Sequence, residues 1–226
     1  MSDETEEQKK LMRQIDISCV QAFHTMDEID AMVELAKKYR LAAVFTLPAF
    51  SAHVAERLQD TREIHAGGVV SFPGGGDTTG QKKRQAKELW EAGCREIDMV
   101  MNLTAFRSHE FSYVKEELLA IREQVPSAIF KVIIEAPQLT EQEICQAVDL
   151  CVKGRADYVK TSTGWYPGCP STVEQVRIRE AAGRIQIKAA GGIRSLETIQ
   201  EMQKAGCSRF GMGMRSVQNL IKSIYK

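Results

Sequence analysis

Short apolar runs rich in β-branched residues alternate along this chain with longer stretches whose apolar positions recur at intervals of three and four. Continuous apolar runs fit strands buried on both faces, and an interval near 3.6 fits helices with one buried stripe. The pattern predicts strands near 15–19, 42–47, 67–72, 96–102, 130–135, 158–161, 185–189 and 209–211. It predicts helices over 27–39, 81–92, 111–124, 141–153, 173–182, 196–205 and 216–225. Helix starts carry their own signal: Thr25 with Glu28, Thr140 with Glu143 and Ser171 with Glu174 fit the capping box, in which two side chains satisfy otherwise orphaned backbone N–H groups. Helix ends at Ala92-Gly93 and Ala205-Gly206 place a glycine where the left-handed backbone of a helix C-terminus is expected.

Strand–helix alternation argues for parallel strands joined by crossover helices. Eight units without a low-complexity linker or a break in composition favour a closed (β/α)8 TIM barrel over a doubly wound open sheet, the alternative. The length of 226 residues suits one such domain. Only the charged opening stretch, residues 1–10, reads as a loose tail, because it has little to bury against chain entropy.

Composition narrows the partners. Lys plus Arg and Asp plus Glu number 30 each, which removes the broad basic field of a nucleic-acid binder. No apolar run approaches bilayer length, and the acidic opening lacks the character of a secretory signal, so the chain reads as cytoplasmic and without a membrane partner. Cys19, Cys94, Cys145, Cys151, Cys169 and Cys207 form no C-x-x-C pair and read as reduced thiols. Histidines 24, 53, 65 and 109 form no metal-binding pair, so no metal site is expected.

In a barrel of this kind, active groups project from the C-terminal ends of the strands. Three such ends carry an ionisable residue: Asp98 in EIDMVMN, Lys160 in DYVKTSTG and Lys188 in IQIKAAGG. Each is costly to bury unless a partner or a cavity receives it. A single lysine of this kind is ordinarily a solvated charge, but three at matching positions point inward together. Two close lysines have a chemical use. A like charge and a low dielectric both lower an amine's pKa, so one lysine stays neutral and attacks a carbonyl while its neighbour remains protonated. The aspartate then relays protons. Gly191-Gly192 after the seventh strand, and Gly211 with Gly213 in the eighth, sit where barrels bind phosphate with backbone N–H groups, or else form tight turns. Arg194 and Arg215 would add charge there, or lie in solvent.

The segments EIDMVMN, KVIIEAPQLT, DYVKTSTG and IKAAGGIR stand in an order and spacing that resembles the deoxyribose-phosphate aldolases, a class I family that needs no metal or other cofactor. The likeness spans roughly 16–216. It implies Lys160 as the imine-forming lysine, Lys188 as its companion and Asp98 as the relay. Asp16 and Ser18 are then substrate contacts, and Gly164, Gly191, Gly192 and Gly211 fall in the phosphate-binding loops; Thr161, Gly213 and Arg215, which stand beside these residues, complete the expected substrate contacts. It also implies a sugar phosphate and short aldehydes as substrates, and a homodimer. The chain departs from the family at Ile17, where many members carry histidine, at Phe45, where they carry cysteine, and at Gly213-Met214, where they carry paired serines. The last change throws phosphate recognition onto backbone N–H groups and Arg215. Trp165 and Tyr166 would narrow the pocket or simply pack. A Schiff-base aldolase for another short or unphosphorylated sugar, and a non-catalytic sugar-phosphate-binding barrel, are the alternatives.

Overall fold

The computed structural model describes residues 5–168, 171–183 and 185–225. The elements run α1 (Glu6–Met12), β1 (Ile15–Cys19), α2 (Met26–Tyr39), β2 (Ala43–Thr46), α3 (Ser51–Arg57), β3 (His65–Val70), α4 (Thr79–Glu91) and β4 (Glu96–Val100). There follow α5 (Leu103–Arg107), α6 (Phe111–Gln124), β5 (Ile129–Ile133), α7 (Glu141–Lys153), β6 (Tyr158–Lys160), α8 (Thr172–Ala182), β7 (Gln186–Ala190), α9 (Leu196–Lys204), β8 (Arg209–Gly213) and α10 (Met214–Ile224). The eight strands close into a barrel in sequence order, and β8 pairs in parallel with β1. This is the (β/α)8 barrel that the alternation predicts.

The three expected capping boxes are formed, and Thr5 with Gln8 and Thr78 with Gln81 add two more. Gly93 and Gly206 have φ of 102° and 96°, as helix ends ahead of a strand require. The opening stretch differs from expectation. From Glu6 it is helical, held by the Thr5 cap, by burial of Leu11 and Met12, and by a hydrogen bond from Gln8 Nε2 to the Ile224 carbonyl. Helix α3 also escaped the periodic reading, because seven residues that bury only Ser51 and Val54 show no stripe. Among the described residues no helix is long and apolar enough to cross a membrane. Five cysteines are free, and Cys169 lies outside the described residues.

The large apolar core lies between the strands and the helices, where Ile17, Val44, Ile97, Phe130, Val159, Ile187 and Phe210 meet the buried helix faces. Ile17 therefore points away from the barrel interior, and its departure from the family pattern does not touch the cavity. Inside the barrel Ala43, Phe45 and Val69 on β2 and β3 form a small apolar cluster of their own. In the helix layer Lys82 and Glu117 are wholly buried and form an ion pair at 2.8 Å, with Lys82 Nζ also donating to the Val100 carbonyl at 3.0 Å. That bond fixes the end of β4 close to Asp98. Lys82→Met should lower the unfolding free energy by about 3–5 kcal/mol, because it strands a buried carboxylate. Urea unfolding measures the loss.

Candidate active site

Strand alternation points Asp98 into the barrel two residues after Glu96, and brings Lys131 of β5 directly opposite it in register. Lys160 and Lys188 are register partners on β6 and β7. The three sequence-predicted residues converge on one atom: Asp98 Oδ2 accepts from Lys160 Nζ at 2.9 Å and from Lys188 Nζ at 2.7 Å. Its other oxygen accepts from Lys131 Nζ at 3.0 Å. Asp98 is fully buried.

Around this centre the charges close into a ring. Lys188 Nζ lies 2.6 Å from Asp16 Oδ2, an ion pair in which Asp16 Oδ2 accepts no hydrogen bond. Asp16 Oδ1 accepts from Arg209, which also reaches both oxygens of Glu96 at 2.9 Å. Glu96 bonds Lys131, and Lys131 returns to Asp98. Six residues of alternating charge thus join β1, β7, β4, β5 and β8, and Lys160 adds a further amine on Asp98. His65 Nδ1, partly exposed at the start of β3, bonds Glu96 at 2.9 Å.

Burial alone would raise the carboxylate pKa values, but the surrounding cations outweigh it. Lys131, Lys160 and Lys188 hold Asp98 well below the carboxylate range, and Lys131, the His65 hydrogen bond and Arg209 do the same for Glu96. Lys131 is fully buried, yet Asp98, Glu96 and Asp16 more than offset the desolvation and raise it. Burial pushes Lys188 down to about 8; Asp16 and Asp98 oppose the shift, while Lys160 and Lys131 add to it. Three carboxylates, Asp16, Glu96 and Asp98, thus face four basic groups, Lys131, Lys160, Lys188 and Arg209. Glu135, buried beside the β6 loop, adds a further carboxyl within electrostatic reach of Lys160.

A cavity of about 150 Å³ opens above these groups, lined on its floor by Asp16, Ser18, Phe45, Lys160 and Lys188. Its rim includes Thr163, Gly164, Gly191, Gly192, Gly213 and Ser216. Gly191 and Gly192 have φ of 91° and 71°, a backbone that side chains resist, so the turn after β7 depends on glycine. Gly211 also lines the cavity, and a Cβ there would sit 3.1 Å from Lys188 Cε, so its bare backbone makes room for the lysine stem. The loop after β6 is held from both sides. Glu135, with a left-handed backbone, accepts from the Thr163 N–H, and Ser162 Oγ donates to the Ala190 carbonyl at 2.6 Å.

The sequence profile of the DeoC/LacD family aldolases matches residues 2–221. The chain belongs to this aldolase family. The deoxyribose-phosphate aldolase of Klebsiella pneumoniae is 38% identical over 219 residues, which cover 95% of this chain and 88% of that protein. The deoxyribose-phosphate aldolase of Aquifex aeolicus is 39% identical over 199 residues, 87% of this chain and 89% of the other. The solved deoxyribose phosphate aldolase of Aeropyrum pernix, described as a unique tetramer, superposes with a TM-score of 0.88 at 26% identity, covering 96% of this chain and 92% of that one.

Not every expected contact of the DeoC/LacD aldolase lines its cavity. Thr161 is buried and ties β6 to β7, its hydroxyl donating to the Ala190 carbonyl at 3.1 Å and accepting from the Ala190 N–H at 2.9 Å. Arg215 is exposed outside the lining. Helix α10 begins at Met214, and one residue turns a helix by about 100°, so Ser216 takes the cavity side instead. Trp165 and Tyr166 are also exposed outside the lining, Trp165 standing edge-on to Phe72 at 6.1 Å. Sequence reasoning missed Lys131, Glu96 and Arg209, and missed His24, which lines the cavity. Lys131→Met should cost about 3–5 kcal/mol in denaturant unfolding, since Asp98 and Glu96 lose a shared buried cation.

Proposed function

We propose that the protein catalyses the reversible aldol cleavage of 2-deoxy-D-ribose 5-phosphate to acetaldehyde and D-glyceraldehyde 3-phosphate in the cytoplasm, through an imine on Lys160. The observation that carries this reading is the sharing of buried Asp98 Oδ2 by two lysine amines at the foot of the cavity. Two amines on one carboxylate oxygen repel one another as cations, so a charge held on one favours the neutral form of the other. Lys160 offers its amine to the cavity, with 10% of its side chain exposed against 1% for Lys188.

In the direction of synthesis, neutral Lys160 Nζ attacks the acetaldehyde carbonyl carbon to give a carbinolamine. Loss of water from it leaves an imine. Asp98 and water held by it take a proton from the adjacent methyl carbon, giving an enamine. The enamine carbon bonds to the aldehyde carbon of glyceraldehyde 3-phosphate, whose oxygen takes up a proton, and water then releases the product from Lys160. Lys188 stays protonated as the neighbouring cation. Asp16 and Ser18 face the substrate from β1.

Phosphate recognition in this reading falls to the backbone around Gly164, Gly191, Gly192 and Gly213 and to the start of α10, whose N-cap Gly213 makes no side-chain cap. Arg215 is not needed for it. The reading keeps the homodimer implied by the sequence resemblance, and light scattering in solution distinguishes that state from a tetramer.

Borohydride added with substrate should reduce the imine and leave the two-carbon adduct on Lys160, and Lys160→Leu should abolish both the adduct and turnover. Turnover without any trapped adduct would overturn the imine. Deoxyribose 5-phosphate should be cleaved with a kcat/KM at least about tenfold above that of unphosphorylated deoxyribose, one charge-assisted hydrogen bond being enough for this. Equal values in the retro-aldol assay would favour an unphosphorylated sugar as the substrate.

A further inference from the structure

The ring of Phe45 lines the cavity and lies against cations. Its centroid is 4.2 Å from Lys188 Nζ and 4.8 Å from Lys131 Nζ, both within the range at which the negative face of an aromatic ring attracts an ammonium. The side chain is almost wholly buried, which removes the solvent that would weaken the attraction. Its place is prepared by the next strand. Phe45 pairs in register with Gly67, and a Cβ on Gly67 would fall 2.4 Å from the ring. A glycine therefore stands where any other residue would push the ring off its seat.

From this geometry we infer that Phe45 is a positioning residue that keeps the shared proton of the lysine pair on Lys188, and so leaves Lys160 as the free amine. The groups that face Lys188 make the asymmetry clear. Asp16 of β1 and Asp98 of β4 attract its charge, while Lys131 of β5 and Lys160 of β6 repel it; Arg209 of β8 is held off by Asp16 and Glu96. Strand β2 contributes no charged group, and the one titratable residue of β3, His65, is bonded to Glu96. Asp98 Oδ2 serves both amines at nearly equal distance, 2.9 and 2.7 Å, and does not choose between them. The aromatic face touches Lys188. It favours the charged form there, and through the shared oxygen favours the neutral form at Lys160.

The consequence for catalysis rests on the imine reading above, but the proton's position does not. Replacing Phe45 with phenylalanines carrying successively more fluorine drains the face of the ring while nearly keeping its volume. With lysines labelled at ¹³Cε, the apparent pKa of Lys188 should fall along the series by about one unit in total, the size of a buried cation–π attraction. That of Lys160 should rise, and kcat/KM at neutral pH should drop several-fold while the melting temperature stays constant. Phe45→Tyr, which keeps the aromatic face, should retain the wild-type titration, and Phe45→Leu should resemble the most fluorinated variant. If neither lysine titration moves across the series, or both move in the same direction, the inference is overturned. If the titrations separate as expected and no adduct forms on Lys160, the imine reading fails while the role of Phe45 in placing the proton stands.

Discussion

The interior of this barrel depends on Asp98. In most barrels of the kind, layers of branched apolar side chains fill the space between the strands. Here a fully buried carboxylate holds three lysine amines, and two more carboxylates with Arg209 complete a ring around it. Taking such charges from water costs several kcal/mol each, and only mutual neutralisation with good hydrogen bonding offsets it. The ring is thus constrained as a whole. Two lysine amines held on one oxygen of the Asp98 carboxylate repel one another as cations, and that repulsion favours a neutral amine within the pair.

The surroundings confirm how much fixing the centre receives. Buried Lys82 ties the end of β4, Thr161 and Ser162 bind the Ala190 carbonyl, and Glu135 binds the loop beyond Lys160. Gly211 clears the path of the Lys188 stem. Little of the site rests on free loops, so the amines keep their distances to Asp98 without help from a ligand.

Much of this was legible in the sequence because burying a charge in an apolar strand is unusual enough to be seen in one dimension. Lys160, Lys188 and Asp98 stood out for that reason, and the alternation of apolar periods gave the closed barrel. Lys131 in IFKVI carried the same signal but sits mid-strand, and a search confined to C-terminal strand ends passes over it. Glu96 shares the face of Asp98 by the two-residue period, while Arg209 opens its strand and reads as a rim charge until its partners are known. Thr161 and Arg215 lie outside the cavity lining for a different reason. Their positions relative to the cavity are set by the step from β6 into its loop and by the first residue of α10, and a shift of one residue at such a boundary sends a side chain elsewhere.

Arg209 sits in the last strand, yet it neutralises carboxylates of the first and fourth. Sealing the seam between β8 and β1 and completing the charge balance are therefore one event. A chain in which β8 has not docked leaves Asp16 and Glu96 without their guanidinium. The set of charges around the lysines is thus complete only when the barrel is closed.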